Sequence, residues 1–209
     1  FEAQSFENWE GKIKFNEDNI NGEIVLVGDS RAETLSHELN NASIKNGFSL
    51  KRFHTHMLLP NIKEYDLITR SIDPSFSEKN KVILKYLENK KDSVVIIYSY
   101  YSLRILGIDA NNKKYRKILV PESVENVNNT DFSQRYQAIK KSFIDTVNQI
   151  SKNHKVIIVY PTPEFKIGVP NAIVRKMIFK SESKIPIITS DYTSFKNKRK
   201  LIYEILDEI

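Results

Sequence analysis

Blocks of apolar residues alternate with amphipathic stretches along the chain. "EIVLVGD" (23–29) is a short, almost wholly apolar run, the mark of a strand covered on both faces. "AETLSHELNNASIKNG" follows with Ala32, Leu35, Leu39 and Ala42 at helical spacing and closes on Asn46-Gly47, a helix stop. "FSLKRFHTHML" (48–58) predicts a second strand, and "SEKNKVILKYLENKK" (77–91) an amphipathic helix. "SVVIIYSY" (93–100) is the strongest strand after the first. A long helix is expected over 131–153, with Phe132, Tyr136, Ile139, Phe143, Val147 and Ile150 on one side. "KVIIVYPTPE" (155–164) reads as a further buried strand running into a proline-rich loop. Residues 190–209 read as a final helix capped by Ser190 or Asp191.

Strand and helix thus alternate four times. Parallel strands need crossover helices, so the order predicts a three-layer α/β/α sandwich with a central parallel sheet. In such sheets ligands bind beyond the carboxyl ends of the strands. Three segments converge on that edge: Gly28-Asp29-Ser30, Ser99-Tyr100-Tyr101 and Pro161-Thr162-Pro163-Glu164.

Composition narrows the picture without changing it. The 209 residues contain no Gly/Ser linker, Pro-rich spacer or repeat, which favours one domain. Its span is read as 23–209, with "FEAQSFENWEGK" and the rest of 1–22 an extension or linker from a larger protein. No apolar run approaches the length of a membrane span, and residues 1–20 are too polar for a signal peptide. The chain has no cysteine, which excludes disulfides, thiolate metal sites and a Cys nucleophile. Net charge is +6, with lysine concentrated in "ANNKKYRKIL" (110–119) and "SFKNKRKLI" (194–202). No aromatic-interleaved basic motif or zinc-finger spacing accompanies these runs, so no nucleic-acid partner is expected. An anionic glycan or a membrane surface suits the same charge.

The candidate chemistry lies in the Gly28-Asp29-Ser30 turn. A serine at a helix start one step past a buried strand holds its hydroxyl at the sheet edge. The first-turn amides there lack intrahelical partners and can stabilise an oxyanion, helped by the helix dipole. Gly28 permits close approach of the chain, and Asp29 can brace the turn through backbone hydrogen bonds. An N-cap with no catalytic role would use the same residue types.

"VLVGDSRAETL" resembles the first block of the SGNH (GDSL-type) hydrolases. "VVIIYSYYSL" (94–103) occupies the place of their third block, and "VIIVYPTPEFKIGVP" (156–170) resembles a strand and loop downstream of it. The likeness is greatest to the SGNH domains fused to membrane acyltransferases of acyltransferase family 3, which O-acetylate bacterial surface polysaccharides. It implies an SGNH hydrolase-like, flavodoxin-like fold and makes Ser30 the nucleophile, with its own N–H in the oxyanion hole. Gly28, Asp29 and Arg31 would support that turn. It also implies an extracytoplasmic, periplasmic domain tethered to the inner membrane by its parent protein. A bacterial surface polysaccharide such as lipopolysaccharide would be the acceptor, and a membrane acyltransferase would supply the acetyl donor, with no cofactor.

The chain departs from the family pattern in several places. Tyr98-Ser99-Tyr100-Tyr101 replaces the third-block Asn, no Gly stands at the second-block position in "HTHMLLPN" (54–61), and no Asp-x-x-His follows the final helix. The expectation is that this last segment lies beyond residue 209. Among the four histidines, His54 and His56 alone fall near the active edge, so they are the internal candidates for the base. As a pair on one strand they lack a third ligand, and no metal site is assigned. Asp131 is a helix cap or a partner for a histidine. Ser99, Tyr100, Tyr101, Pro163 and Glu164 are candidates for the cleft edge, with Tyr100, Tyr101 and Phe165 as stacking surfaces for a sugar. Three activities stay open: O-acyltransferase, carbohydrate O-acetyl esterase, and a glycan-binding module without turnover.

Overall fold

A computed structural model describes residues 21–107, 115–124, 131–162 and 191–209. Four parallel strands form its main sheet: β1 (Gly22–Gly28), β2 (Phe48–His54), β5 (Val94–Tyr98) and β7 (Lys155–Ile158), in the order β2-β1-β5-β7. The chain leaves β1 for β2 on one side and then crosses to β5 on the other. That reversal opens a crevice between the carboxyl ends of β1 and β5, where ligands of doubly wound sheets bind.

Strand periodicity sorts the side chains between two cores. Leu26, Ile96 and Tyr98 face α1 (Ser30–Lys45), with Ala32 and Leu50 beside them. Val25, Val27, Val95 and Ile97 face the opposite layer, built from α2 (Ser75–Glu88), α3 (Phe132–Ser151) and the last helices. The α/β/α layering expected from strand–helix alternation is therefore present.

Several local expectations shift. The buried stripe of α1 is Ala32, Ser36, Asn40 and Ser43, while Ala42 is exposed. Ser36 and Ser43 donate to the carbonyls of Glu33 and Leu39 within the helix, so these hydroxyls pack inward already satisfied. On α3 the stripe holds from Tyr136 to Ile150, but Phe132 is exposed. The second strand stops at His54, after which Met57, Leu58 and Leu59 turn into the core. The fourth parallel strand ends at Ile158, ahead of the loop, and is not the buried strand expected: it lies at the edge of the described sheet, with Ile157 exposed and Val156 and Ile158 half-buried. The final helix is two helices, α4 (Tyr192–Lys198), capped by Asp191, and α5 (Lys200–Leu206), with Arg199 at the break. Ser190, the other cap considered, lies outside the described residues.

A second, antiparallel sheet escapes the sequence pattern: β3 (Ile62–Asp66), β4 (Ser71–Asp73) and β6 (Lys117–Pro121), ordered β4-β3-β6. Alternation on β3 buries Ile62, Glu64 and Asp66, so its inward face is mostly acidic and carries no hydrophobic signal.

Gly28 is dictated by space. A Cβ there would lie 1.8 Å from the Tyr98 carbonyl oxygen and 2.7 Å from the Ala32 Cβ. Backbone cannot yield as a flexible side chain can. Gly28→Ala is expected to lower stability by about 3 kcal/mol or more, measured by urea denaturation. A loss within experimental error would mean that β1 and β5 are not so closely joined.

Candidate active site

The turn after β1 is organised by one carboxylate. Asp29, 5% exposed, caps α1 in an extended conformation. Its Oδ1 accepts the Arg31 N–H at 2.9 Å, and its Oδ2 accepts the Tyr100 N–H at 2.9 Å. The same side chain thus ties the end of β1 to the residue just past β5, across the crevice. Ser30, the first residue of α1, is exposed. Arg31's amide is occupied by Asp29, so the first-turn donors left beside the serine hydroxyl are the N–H groups of Ser30 and Ala32.

The two candidate histidines follow the end of β2. His54 is in register with Gly28, and the Thr55 N–H donates to the Gly28 carbonyl at 2.9 Å, which holds this segment against the serine turn. Burial, then the charge of His56, holds the His54 imidazole below its ordinary range, although Asp29 and Glu33 pull the other way. The His54 and His56 rings lie 6.1 Å apart, edge to face, and His56 stacks on Phe76. Ser30 makes no hydrogen bond to either imidazole. His37 is exposed on α1 beside Asn41. His154 is buried and structural, with Nδ1 accepting the Ser93 N–H and Nε2 2.9 Å from the Leu87 carbonyl. Asp131 caps α3 by accepting the Gln134 N–H.

Behind His56 lies an ion cluster that the sequence does not announce. Glu64, 2% exposed, receives Arg104 Nη1 at 3.0 Å on Oε1 and Lys117 Nζ at 2.8 Å on Oε2. His56 Nδ1 is 3.3 Å from Oε1, an ion-pair distance without the alignment of a hydrogen bond. Burial alone would raise the Glu64 pKa; His56 and Lys117 outweigh it and hold the carboxyl at about 2. Arg104 reaches the cluster from a π-helical turn, Ser102–Leu106, that follows β5. Among the described residues no group of three or more His, Cys, Asp or Glu side chains is disposed to hold a metal ion.

A small cleft opens beyond β5 and β7, walled in part by Arg31, Ser99, Tyr100, Thr162, Phe195 and Arg199. Ser99 is buried. Tyr101 also borders this cleft, but it is 1% exposed and packed in the core with its hydroxyl donating to the Ile97 carbonyl, so it offers a sugar no ring face to stack on. Tyr100 stays half-buried, with the Arg31 guanidinium 4.6 Å from its ring centroid. Pro163, Glu164 and Phe165 lie outside the described residues. Arg199 was missed because "FKNKRKLI" has no Gly or Pro to signal a break, and Glu64 and Arg104 because charged residues read as surface.

A strand, a Gly-Asp-Ser turn and a helix start stand at the switch point of a parallel sheet, the edge where such sheets bind ligands. The chain belongs to the family of SGNH domains fused to AT3 domains, whose model matches residues 4–209. No curated protein and no solved structure matches it. Its class is accordingly a hydrolase- or acyltransferase-like module of a kind fused to membrane acyltransferase domains. Among the described residues no helix is long and apolar enough to cross a membrane.

Glu64 makes the site sensitive to acid. Its folded pKa of about 2 lies below the ordinary 4.5, so its contribution to stability is present above pH 4.5 and is lost as pH falls toward 2. Glu64→Gln leaves Arg104 buried without its counter-charge and is expected to cost about 3–5 kcal/mol at neutral pH. Urea denaturation should show the gap between variant and wild type narrowing at about pH 3. A gap independent of pH would show that the carboxylate charge is not what holds the cluster.

Proposed function

We propose that this chain performs an acyl-transfer step in the O-acetylation of a bacterial surface polysaccharide, with Ser30 carrying the acyl group as an ester. The observation that carries the reading is Ser30, exposed at the first turn of α1 just past the carboxyl end of β1, where the remaining amides can meet an oxyanion. Membership of a family fused to AT3 domains supports a membrane acyltransferase as the source of the acetyl group. On this reading residues 1–22 lead from that partner to a domain outside the cytoplasm, and 23–209 hold the site.

Ser30 Oγ attacks the donor's acyl carbon while an imidazole takes the hydroxyl proton, and the negative charge on the carbonyl oxygen is met by the Ser30 N–H. The bond to the donor breaks, and the leaving group takes the proton back from the imidazole. A sugar hydroxyl then attacks the acyl-serine; its proton passes through the imidazole to Ser30 Oγ. Water in place of the sugar gives an esterase by the same route. We assign the proton relay to His54, because it is in register with Gly28 and is kept neutral at pH 7 by its surroundings.

Incubation with p-nitrophenyl acetate is expected to release nitrophenol and leave an acetyl ester that peptide mapping places on Ser30. Ser30→Ala should do neither; equal release by both proteins would overturn covalent catalysis. His54→Gln is expected to slow acylation by about 10²-fold or more, and the wild-type rate should rise with pH through a value below the usual imidazole range. A His54→Gln variant that acylates at the wild-type rate would move the base elsewhere. The absence of a hydrogen bond from Ser30 to an imidazole favours a second reading, a glycan-binding module without turnover. Glycan binding with no acyl-enzyme in the intact AT3-fused protein would establish it.

A further inference from the structure

The hairpin of the antiparallel sheet ends in a turn that is firmly braced yet leaves two apolar side chains in water. β3 and β4 pair as far as Asp66 and Ser71, so the turn is the four residues Leu67–Arg70. Asp66 fills it from inside. Its Oδ1 accepts the Ile68 and Thr69 N–H groups at 2.8 and 3.1 Å, and its Oδ2 meets Arg116 Nε at 2.7 Å. The Leu67 N–H donates to the Arg116 carbonyl at 2.9 Å, and the Thr69 and Ser71 hydroxyls bond each other. Arg70 closes the turn in the left-handed region, at φ 54°, where a residue with a Cβ is uncommon.

Ile68 is 71% exposed, the highest value among the large apolar side chains described, and Leu67 beside it is 43% exposed. A single apolar residue on a surface needs no account, but an adjacent pair at the tip of a braced turn gains by leaving water. Charge indicates what would cover it. Each carboxylate of the hairpin faces a cation: Glu64 meets Arg104 and Lys117, Asp66 meets Arg116, and Asp73 lies 3.7 Å from Lys117. Arg70 is exposed and makes no ion pair among the described residues. Arg116 keeps about half of its side chain in water beside it. A tip two side chains wide has no groove to receive a partner's chain. It can enter a yielding surface, and its cations match an anionic one.

We propose that the Leu67–Arg70 turn seats in the headgroup layer of an anionic membrane, with Leu67 and Ile68 reaching the acyl boundary and Arg70 and Arg116 held at the lipid phosphates. Long cationic side chains favour that level, since their stems lie along apolar material while their heads stay with charge and water. The hairpin is rooted near the Ser30 end of the parallel sheet. Glu64, two residues before Asp66, is joined to His56 and Arg104, which follow the carboxyl ends of β2 and β5. On the acyl-transfer reading, whose donor is a membrane acyltransferase, a seated turn would hold that end toward the donor. The affinity for lipid itself needs no acyl chemistry.

The chain has no cysteine, so Ile68→Cys gives a single site for an environment-sensitive nitrobenzoxadiazole label. Val82→Cys, at an apolar position of α2 that is 55% exposed, is the control. With vesicles of phosphatidylglycerol and phosphatidylcholine at low salt, emission from position 68 is expected to rise about threefold or more and move to shorter wavelength, and emission from position 82 to stay unchanged. Vesicles of phosphatidylcholine alone, or added salt, should weaken the response. Sedimentation with the anionic vesicles should show unlabelled Leu67→Ser/Ile68→Ser binding about tenfold more weakly than wild type and Arg70→Gln about fivefold more weakly, with the fold of each checked by circular dichroism. No response at position 68, equal responses at 68 and 82, or binding untouched by the double variant would overturn the proposal. So would a label at 68 that ignores vesicles and is shielded only in the intact AT3-fused protein, which would give the turn to a protein partner. Insertion at position 68 with no acetyl-Ser30 would retire the acyl-transfer reading and keep this one. An acetyl-Ser30 in a chain whose position 68 ignores lipid would do the reverse.

Discussion

The closeness of β1 and β5 at their carboxyl ends governs the rest of this structure. It depends on an absent side chain at Gly28, where the Tyr98 carbonyl leaves no room for a Cβ, and on Asp29, which binds an amide on each side of the gap. Together these fix the distance between the helix start that presents Ser30 and the segment that presents Ser99 and Tyr100. The serine itself contributes little to that geometry. It is carried by neighbours whose backbone has no freedom to move.

Much of this was legible in the sequence, and the reason is physical. A strand buried on both faces must be apolar along its length, so "IVLV" and "VVIIY" declare themselves, and the small residues after the first strand mark the turn. What stayed hidden is polar material turned inward. The buried face of α1 carries Ser36, Asn40 and Ser43, which hydrophobic periodicity places outside. The strand Ile62–Asp66 buries two carboxylates and so shows no apolar alternation. Tyr100 and Tyr101 are adjacent, alike in sequence and both at the cleft, yet one is half-buried and the other is sealed in the core.

The buried Glu64 explains how the antiparallel sheet belongs to the same domain as the parallel one. Its ligands come from three places: Lys117 on the adjacent strand, Arg104 on the π-helical turn after β5, and His56 after β2. Removing the Glu64 carboxylate and the Arg104 guanidinium from water is expensive, and mutual neutralisation returns much of that cost only if the arrangement is kept. The cluster therefore specifies registry between the sheets more than it adds net stability. Through His56 it also reaches the ring that faces His54, so the second sheet has an electrostatic line to the edge of the crevice.

The interruption of the last helix has an evolutionary corollary. Arg199 stands at the break between Tyr192–Lys198 and Lys200–Leu206 and lines the cleft, so the break and the cleft wall share one residue. Substitutions that strengthen helicity across the junction would thus harden the carboxyl-terminal segment while reshaping the wall of the cleft. Robustness and the shape of that recess are set at this one position and cannot be altered independently.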